Sequence, residues 1–568
     1  MKLIKLLWAG VLLQTLAFGQ ISIGEIEHHL QKSLYTHIQG QNKEIVQSLY
    51  ENSGGQPLWL GEQNKQKRNA LIKALKDPLF NYKDKAFDQP SITRLYYMLD
   101  NNTIPSSQKA QVYARLDLML TNSYVRLVRF IVQGDVDWNL VQEKLASLKE
   151  SDDIHAVWEM ETKPLPETEE LYSAVRNGTI YPYLSSLIPM ERRYRKLVRL
   201  LKDYRRMEKF PQIPYTQEPR TMGNRKNKNI EEIKKRLQIT GDYPKNAPIN
   251  STFDQTLKQA VISYQKRYNL KANGEIDRVT TYYLNQPVST HIQSIITNLD
   301  KTKLYPRQFE DEYAEVNIPD FKLRYYKNHQ LVMKMGAVVG RIDRPTPLFS
   351  DQIEYMVLNP TWTITDNLIK RDLIPVLREN PSYLVENNIK SYSGNRELNV
   401  TYDMIARYRN RAEPVPYRFV QQPGPSNALG RVKFMFPNKY SVYLHDTDNK
   451  SLLSRRYRIY SSGCVRLQKP FALMHRLLRH TKERYTQEKI EKIFASNTPA
   501  TIRLNSSIPV HMTYFTVFVE DGKAYFKNDI YLYDQIISES IIGQSKATFT
   551  VPAKRLISVK KNAQPLSN

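Results

Sequence analysis

Cys464 is the only cysteine in this chain of 568 residues. It stands in Ser461-Ser-Gly463-Cys464-Val-Arg466, shortly after Val442-Tyr443-Leu-His445-Asp446. The thiolate is the nucleophilic form, and a free thiol with a pKa of ~8.5 is ionised only to a few per cent at neutral pH. An imidazole nearby either deprotonates it or holds an imidazolium–thiolate pair. Arg466 adds positive potential that favours thiolate and suits a substrate carboxylate. Gly463 allows backbone N–H groups to approach a ligand, so its amide and that of Cys464 suit an oxyanion hole. These residue types point to acyl transfer through a cysteine; the alternative for a lone thiol is a buried structural one.

Such chemistry needs a rigid element beneath it. Side chains alternate along a strand, so Tyr443 and His445 share one face while Val442 and Leu444 share the other. The apolar pair turns to a core and the polar pair to an open surface, where the thiol can meet the imidazole.

Length predicts two to four domains. The apolar fraction of 41% is enough for real cores. Met1 to Gln20 reads as an export signal: Lys2 and Lys5 precede an apolar run, Leu6 to Leu13, and Ala17-Phe-Gly19 offers small residues for cleavage after Gly19. The expected location is the periplasm, with membrane association if the signal stays uncleaved. The apolar run is shorter than the ~20 residues of a membrane span, and no other stretch qualifies. One cysteine cannot form an intramolecular bridge, so the chain folds by core burial and carries a single free thiol through an oxidising space. The net charge of +26 suits an anionic polymer or surface. Export and the lack of a nucleic-acid-binding signature argue against nucleic acid.

From Ile21 to Tyr215 apolar residues recur at helical spacing, as in Val112, Leu116, Met119, Leu120, Leu127, Phe130 and Ile131, with Gly134 as a stop. Tyr181 to Met207 is expected as one further helix. His28, His29, His37 and His155 form no ligand constellation. A linker spans Pro211 to Lys228. A small helical module follows, with Asp254 and Asp277 as caps and Asn273-Gly274 as a turn. After Tyr305-Pro306 the pattern becomes strands: Val316 to Ile318, Phe321 to Tyr326, Leu331 to Val339 and Ile353 to Leu358. Asp366 to Pro414 interrupts them with mixed helix and polar loop, too long for a connection, and reads as a lid or subdomain. Strands return at Val432 to Phe436 and Tyr440 to His445, and again after Thr501.

At these residues the chain resembles the L,D-transpeptidases with a YkuD-type catalytic domain, whose signature is a histidine, a spacer, then [Ser/Thr]-His-Gly-Cys. Val316-Asn-Ile-Pro319, Val339-Gly-Arg341 with Thr346-Pro347, Asn359-Pro360 with Trp362, and Gly424-Pro-Ser-Asn427-Ala-Leu-Gly430 agree with it. Ala260-Val261 with Tyr264-Gln265, Leu270, Asn273-Gly274 and Thr280 resembles a peptidoglycan-binding module. Together with the helical region and the insertion, the whole resembles the large periplasmic, YcbB-like branch. Ser462 departs from the signature, which has histidine there; the base role in the family belongs to the upstream histidine, here His445.

The resemblance implies a multidomain α+β protein. The expected parts are a signal peptide (1–19), a helical scaffold (20–215), a three-helix peptidoglycan-binding module (225–288), a mainly-β catalytic domain (305–535) with a cap insertion (366–414), and a basic tail (545–568). It implies that Cys464 attacks the third residue of a tetrapeptide stem, expels D-alanine, and passes the acyl group to another stem as a 3→3 cross-link. His445 would be base and proton carrier, Ser461 would orient the site, and the Gly463 amide would serve the oxyanion hole. Tyr443, Arg466, Trp362 and Asn427 would hold substrate. No cofactor or metal is expected. Partners would be peptidoglycan stem peptides and glycan, and other cell-wall synthesis proteins. Alternatives are an L,D-carboxypeptidase, a protein-to-peptidoglycan transferase, or a non-catalytic wall-binding scaffold.

Overall fold

A computed structural model describes residues 21–36, 40–101, 103–147, 158–206, 211–223, 228–268 and 270–542. The expected signal, His37, His155, the basic tail and part of the 211–228 linker lie outside them.

The amino-terminal part is helical and is centred on the helix Ser106–Val132. Its buried Leu116, Leu120, Leu127 and Ile131 recur at helical spacing, and Gly134 follows it at φ +75. Asp117, fully buried on this helix, accepts the backbone N–H groups of Leu58, Trp59 and Leu60 and the Tyr50 hydroxyl at 2.7–3.1 Å. One carboxylate thereby fixes an otherwise irregular loop. The expected single helix over Tyr181 to Met207 is two, Ile180–Ser186 and Glu191–Arg205. Pro189 lies between them and Met190 takes φ +43, a geometry a continuous helix cannot hold.

The small module has helices Lys228–Ile239, Gln255–Arg267 and Arg278–Leu284. Asp254 and Asp277 cap the last two, each accepting an N–H three residues on. The helix Val288–Lys301 then leads to the sheet region.

Fifteen strands follow among the described residues: β1 Glu312–Asn317, β2 Lys322–Lys327, β3 Gln330–Gly340, β4 Ser350–Leu358, β5 Trp362–Thr363, β6 Ile389–Ser393, β7 Arg396–Leu398, β8 Arg418–Gln421, β9 Val432–Met435, β10 Leu444–His445, β11 Ile459–Ser461, β12 Val465–Leu467, β13 Ala500–Thr513, β14 Val517–Glu520 and β15 Lys523–Phe526. Nine form one sheet in the order β11-β3-β12-β10-β9-β4-β13-β1-β2, and β2 also pairs with β3, so the sheet closes on itself. Its interior holds Val316, Leu323, Val339, Met356, Phe434, Leu444, Val465 and Val510. The β14–β15 hairpin packs away from it: Phe526 stacks on Tyr268 of the small module at 5.8 Å, and Val517 and Ala524 join the helical core.

The insertion is a subdomain with its own core of Ile369, Leu373, Leu377, Ile405 and Phe419. It carries a four-stranded sheet, β5-β8-β6-β7, which the polar composition of the segment does not announce. Since β5 and β8 lie outside 366–414, the unit reaches from Trp362 to Gln421. Among the described residues no helix is long and apolar enough to cross a membrane.

Candidate active site

Strands β9, β10 and β12 build the site. In β10 and β12, which run parallel, Leu444 pairs with Val465 and His445 with Arg466. Val465 N donates to Tyr443 O at 3.1 Å, which sets Cys464 beside Tyr443. Alternation therefore puts Tyr443, His445, Cys464 and Arg466 on one face, while Val442, Leu444, Val465 and Leu467 enter the core.

The turn that presents Cys464 is held from several sides. Gly463 has φ +114, a backbone region that side chains disfavour, although a Cβ there would meet nothing nearer than 3.9 Å. The glycine is required for conformation, not space. Its carbonyl accepts the Thr346 hydroxyl at 2.8 Å, and the same hydroxyl accepts Gly340 N–H at 2.9 Å. Gly340 is required for space: a Cβ would fall 2.2 Å from Arg344 O. Ser461 Oγ, buried, donates to Cys464 O at 2.5 Å and accepts Gly463 N–H at 3.3 Å. Ser461 thus orients the turn from within. The Gly463 N–H, expected to serve the oxyanion hole, points to Ser461 Oγ in this structure.

Cys464 is half-buried, and its thiol donates to Ser441 O at 3.8 Å. Burial pushes the thiol pKa up, against the contrary pull of contacts with Tyr443 and of Arg466 and Lys433. His445 is 4% exposed and its Nδ1 has no hydrogen-bond partner. Burial, and then Arg466, push the imidazole down to about 3, so it is neutral at any working pH. The resting pair is therefore thiol and neutral imidazole on one face without a hydrogen bond between them, rather than an imidazolium–thiolate pair.

Two cations overlook this pair. Arg466 is 5% exposed, its Nε and Nη1 lack partners, and burial pulls it down to about 10. Lys433, opposite His445 in the β9–β10 register, lies 5.6 Å from the centre of the Tyr443 ring. Burial lowers its pKa while Cys464 opposes that shift. Lys433 was not anticipated from sequence. Its signal is its place between Val432 and Phe434, apolar residues that both turn inward.

Trp362, half-buried on β5 of the cap, lies near Tyr443, which is itself beside Cys464. The cap thus reaches the edge of the nucleophile's face. Asn427, expected to hold substrate, turns its side chain to the backbone around it rather than to the face of Cys464. It is fully buried, and its amide nitrogen donates to Pro360 O and Gln422 O at 3.1 and 2.9 Å while its oxygen accepts Leu429 N–H at 2.8 Å. A side chain so committed braces the loop before β9. Ser462 is exposed and receives Arg344 Nη1 at 3.0 Å.

Comparison with known proteins bears on what this face belongs to. Residues 311–491 match the family described as L,D-transpeptidase catalytic domain. Residues 44–201 match a family described as Scaffold domain, and 226–284 one described as "Putative peptidoglycan binding domain". A "Putative L,D-transpeptidase" of Haemophilus influenzae is 34% identical over 223 residues, 39% of this chain and 45% of that protein. The chain therefore spans less than half the length of this curated relative. Among solved structures, an L,D-transpeptidase from Xylanimonas cellulosilytica is 13% identical, with 53% of this chain and 100% of that one covered and a TM-score of 0.18. One from Stackebrandtia nassauensis is 11% identical, with 55% and 100% covered and a TM-score of 0.20. The site around Cys464 falls inside the segment that matches the L,D-transpeptidase catalytic domain, and that segment follows ones that match a scaffold domain and a peptidoglycan-binding domain.

Proposed function

We propose that the protein is an exported peptidoglycan L,D-transpeptidase that forms 3→3 cross-links through a thioester on Cys464. The observation that carries this reading is the shared face of Cys464, His445, Tyr443 and Arg466, set by the in-register parallel pairing of β10 with β12.

The donor is a tetrapeptide stem. Its third-residue carbonyl is attacked by Cys464 Sγ; the peptide bond to the terminal D-alanine breaks, and the released amine takes a proton. His445 is suited to carry that proton. Its ring contacts the Asp446 backbone, an interaction that favours the protonated nitrogen. Nδ1, buried and without a hydrogen-bond partner, is the nitrogen open to the thiol proton. The neutral imidazole has a lone pair free for the thiol proton, and its basicity rises as the thiolate charge forms beside it. The unpaired Nε and Nη1 of Arg466 and the Lys433 ammonium supply positive charge for the thiolate and a donor carboxylate. The Cys464 amide is the backbone donor assigned to the oxyanion. A side-chain amine of a second stem then attacks the thioester, forming the cross-link and freeing the thiol. The peptidoglycan-binding domain keeps the enzyme on its polymer, in the periplasm.

The test is incubation of the chain with defined tetrapeptide muropeptides, read by mass spectrometry. Cross-linked dimers with loss of D-alanine, absent in Cys464→Ala, are expected. Tripeptide alone would establish a carboxypeptidase instead, and no reaction would leave a wall-binding scaffold.

A further inference from the structure

The tight turn Arg341 to Arg344, between β3 and β4, meets the nucleophile's loop at two points. Arg341 N donates to Ser461 O at 2.9 Å, and Arg344 Nη1 donates to Ser462 Oγ at 3.0 Å. The same guanidinium also turns outward to the cap. Nη2 donates to Asp372 Oδ1 at 2.8 Å and Nη1 to Asp372 Oδ2, a two-pronged ion pair. The partners' side chains are only 9% and 20% exposed, so water screens the pair weakly.

Both ends of this connection are rigid. Asp372 lies on the π-helical turn Ile369–Leu373, whose Ile369 and Leu373 are buried in the cap core. Turns of this kind interrupt an α-helix and redirect its side chains. Arg371, next to it, faces Asp343 of the tight turn at 3.6 Å, a second pair across the same junction. On the other side, Ser462 is two residues from Cys464 in a loop already fixed by Ser461 to Cys464 O and by Thr346 to Gly463 O. Of these side-chain braces on the loop, the one at Ser462 is the one that continues into the cap.

We propose that Arg344 is a positioning residue: its single guanidinium ties the seating of the cap, through Asp372, to the geometry of the turn that presents Cys464, through Ser462. This rests on Cys464 being the nucleophile. Arginine fits the task because its planar fork binds a carboxylate with two nitrogens and still reaches a third acceptor. A lysine ammonium is a point charge without that fork. Small displacements of a nucleophile lose large rate factors, so a brace contacting neither substrate nor thiol still acts on turnover.

Arg344 contacts both Asp372 and Ser462, so a double-mutant cycle reads the connection. Asp372→Asn and Ser462→Ala are each expected to slow acylation of Cys464 by a tetrapeptide donor about tenfold, in kcat with KM little changed. The double variant is expected to be no slower than either single one. In an Arg344→Met background neither substitution has a further effect, and Arg344→Lys does not restore the rate. Independent effects, giving a roughly hundredfold loss in the double variant, overturn the proposal, as does a wild-type rate in Arg344→Met. If Arg344→Met fails to fold, the cycle on Asp372 and Ser462 decides alone. The same cycle read by iodoacetamide alkylation of Cys464 needs no donor. A wild type that alkylates but never acylates would refute the transpeptidase reading, and the alkylation cycle would still decide the connection.

Discussion

His445 lies directly opposite Arg466 in the register of two parallel strands, so a buried imidazole with a partnerless Nδ1 faces a buried guanidinium with a partnerless Nε and Nη1. Each keeps the other from an easy arrangement: burial and then the cation keep the imidazole from charging, and the imidazole gives the cation no counter-charge. The arrangement is costly in isolation and suits a ligand that is itself an anion.

This pair has a consequence for acid stability. His445 stays neutral in the folded chain down to about pH 3, against an ordinary value of 6.5. Below 6.5 the unfolded chain therefore binds the extra proton, and stability falls as pH falls; above 6.5 the residue contributes no pH dependence. His445→Gln removes this loss. Between pH 7.5 and 4.5 the wild type is expected to lose about 3 kcal/mol more than the variant. Urea unfolding at both pH values measures it, and an equal loss in the two proteins would count against the buried neutral imidazole. Acylation in the same variant is expected to drop by ~10²–10⁴.

The thiol should behave as a hindered acid in the free enzyme. Burial raises its pKa, while Arg466 and Lys433 lower it. Alkylation by iodoacetamide is expected to keep accelerating above pH 8.5 rather than level off near neutrality. Lys433→Met and Arg466→Met should each slow alkylation at pH 7.5 by up to ~10-fold, the size of a shift of about one pK unit from one nearby charge. A plateau reached below pH 7 would instead indicate a preformed thiolate.

Gly463→Ala isolates backbone conformation from crowding, because the added methyl has room and the φ of +114 does not suit it. The expected cost is about 1–3 kcal/mol of strain, or a turn that relaxes and moves Cys464. Thermal unfolding combined with the acylation rate distinguishes the two, and a variant with native stability and native rate would contradict the strain.

Asn427→Ala leaves the buried Leu429 N–H and the Pro360 and Gln422 carbonyls without their partner. A loss of about 1–3 kcal/mol in stability is expected, with KM for the donor unchanged. A raised KM at full stability would return Asn427 to substrate binding.

What could be read from the chain was local in sequence. The alternation that sets Tyr443 with His445 is a property of four consecutive residues, and the Asp254 and Asp277 caps are properties of one helical turn each. Lys433 needed the register of β9 against β10, which no alternation within β9 specifies. Arg344 and Asp372 needed the docking of the cap. For the Gly463 amide, a glycine announces close approach without saying what approaches; here the Ser461 hydroxyl, two residues away, is one such neighbour. The broken helix at Pro189 was legible in principle, since a proline inside a helical pattern ends it. The cap strands were not, because their polar side chains hide a sheet whose apolar partners come from Trp362 and Phe419, at either end of the segment.

The closure of the barrel implies an order of assembly. Strand β13 lies between β4 and β1 and pairs with β1 in parallel, Ala314 against Val510. As the chain leaves the ribosome, the cap can satisfy its own contacts early and the helical region and small module most of theirs, before the β14–β15 hairpin completes them, whereas β1 and β4 present open edges until residues 500–513 have been made. Pairings over such separations are slow, and unpaired edges invite aggregation. The cysteine and its histidine thus sit in a neighbourhood assembled from nearby strands but locked by one of the last to be synthesised, and a chain cut short before Ala500 is expected to hold the chemical groups without the frame that aims them.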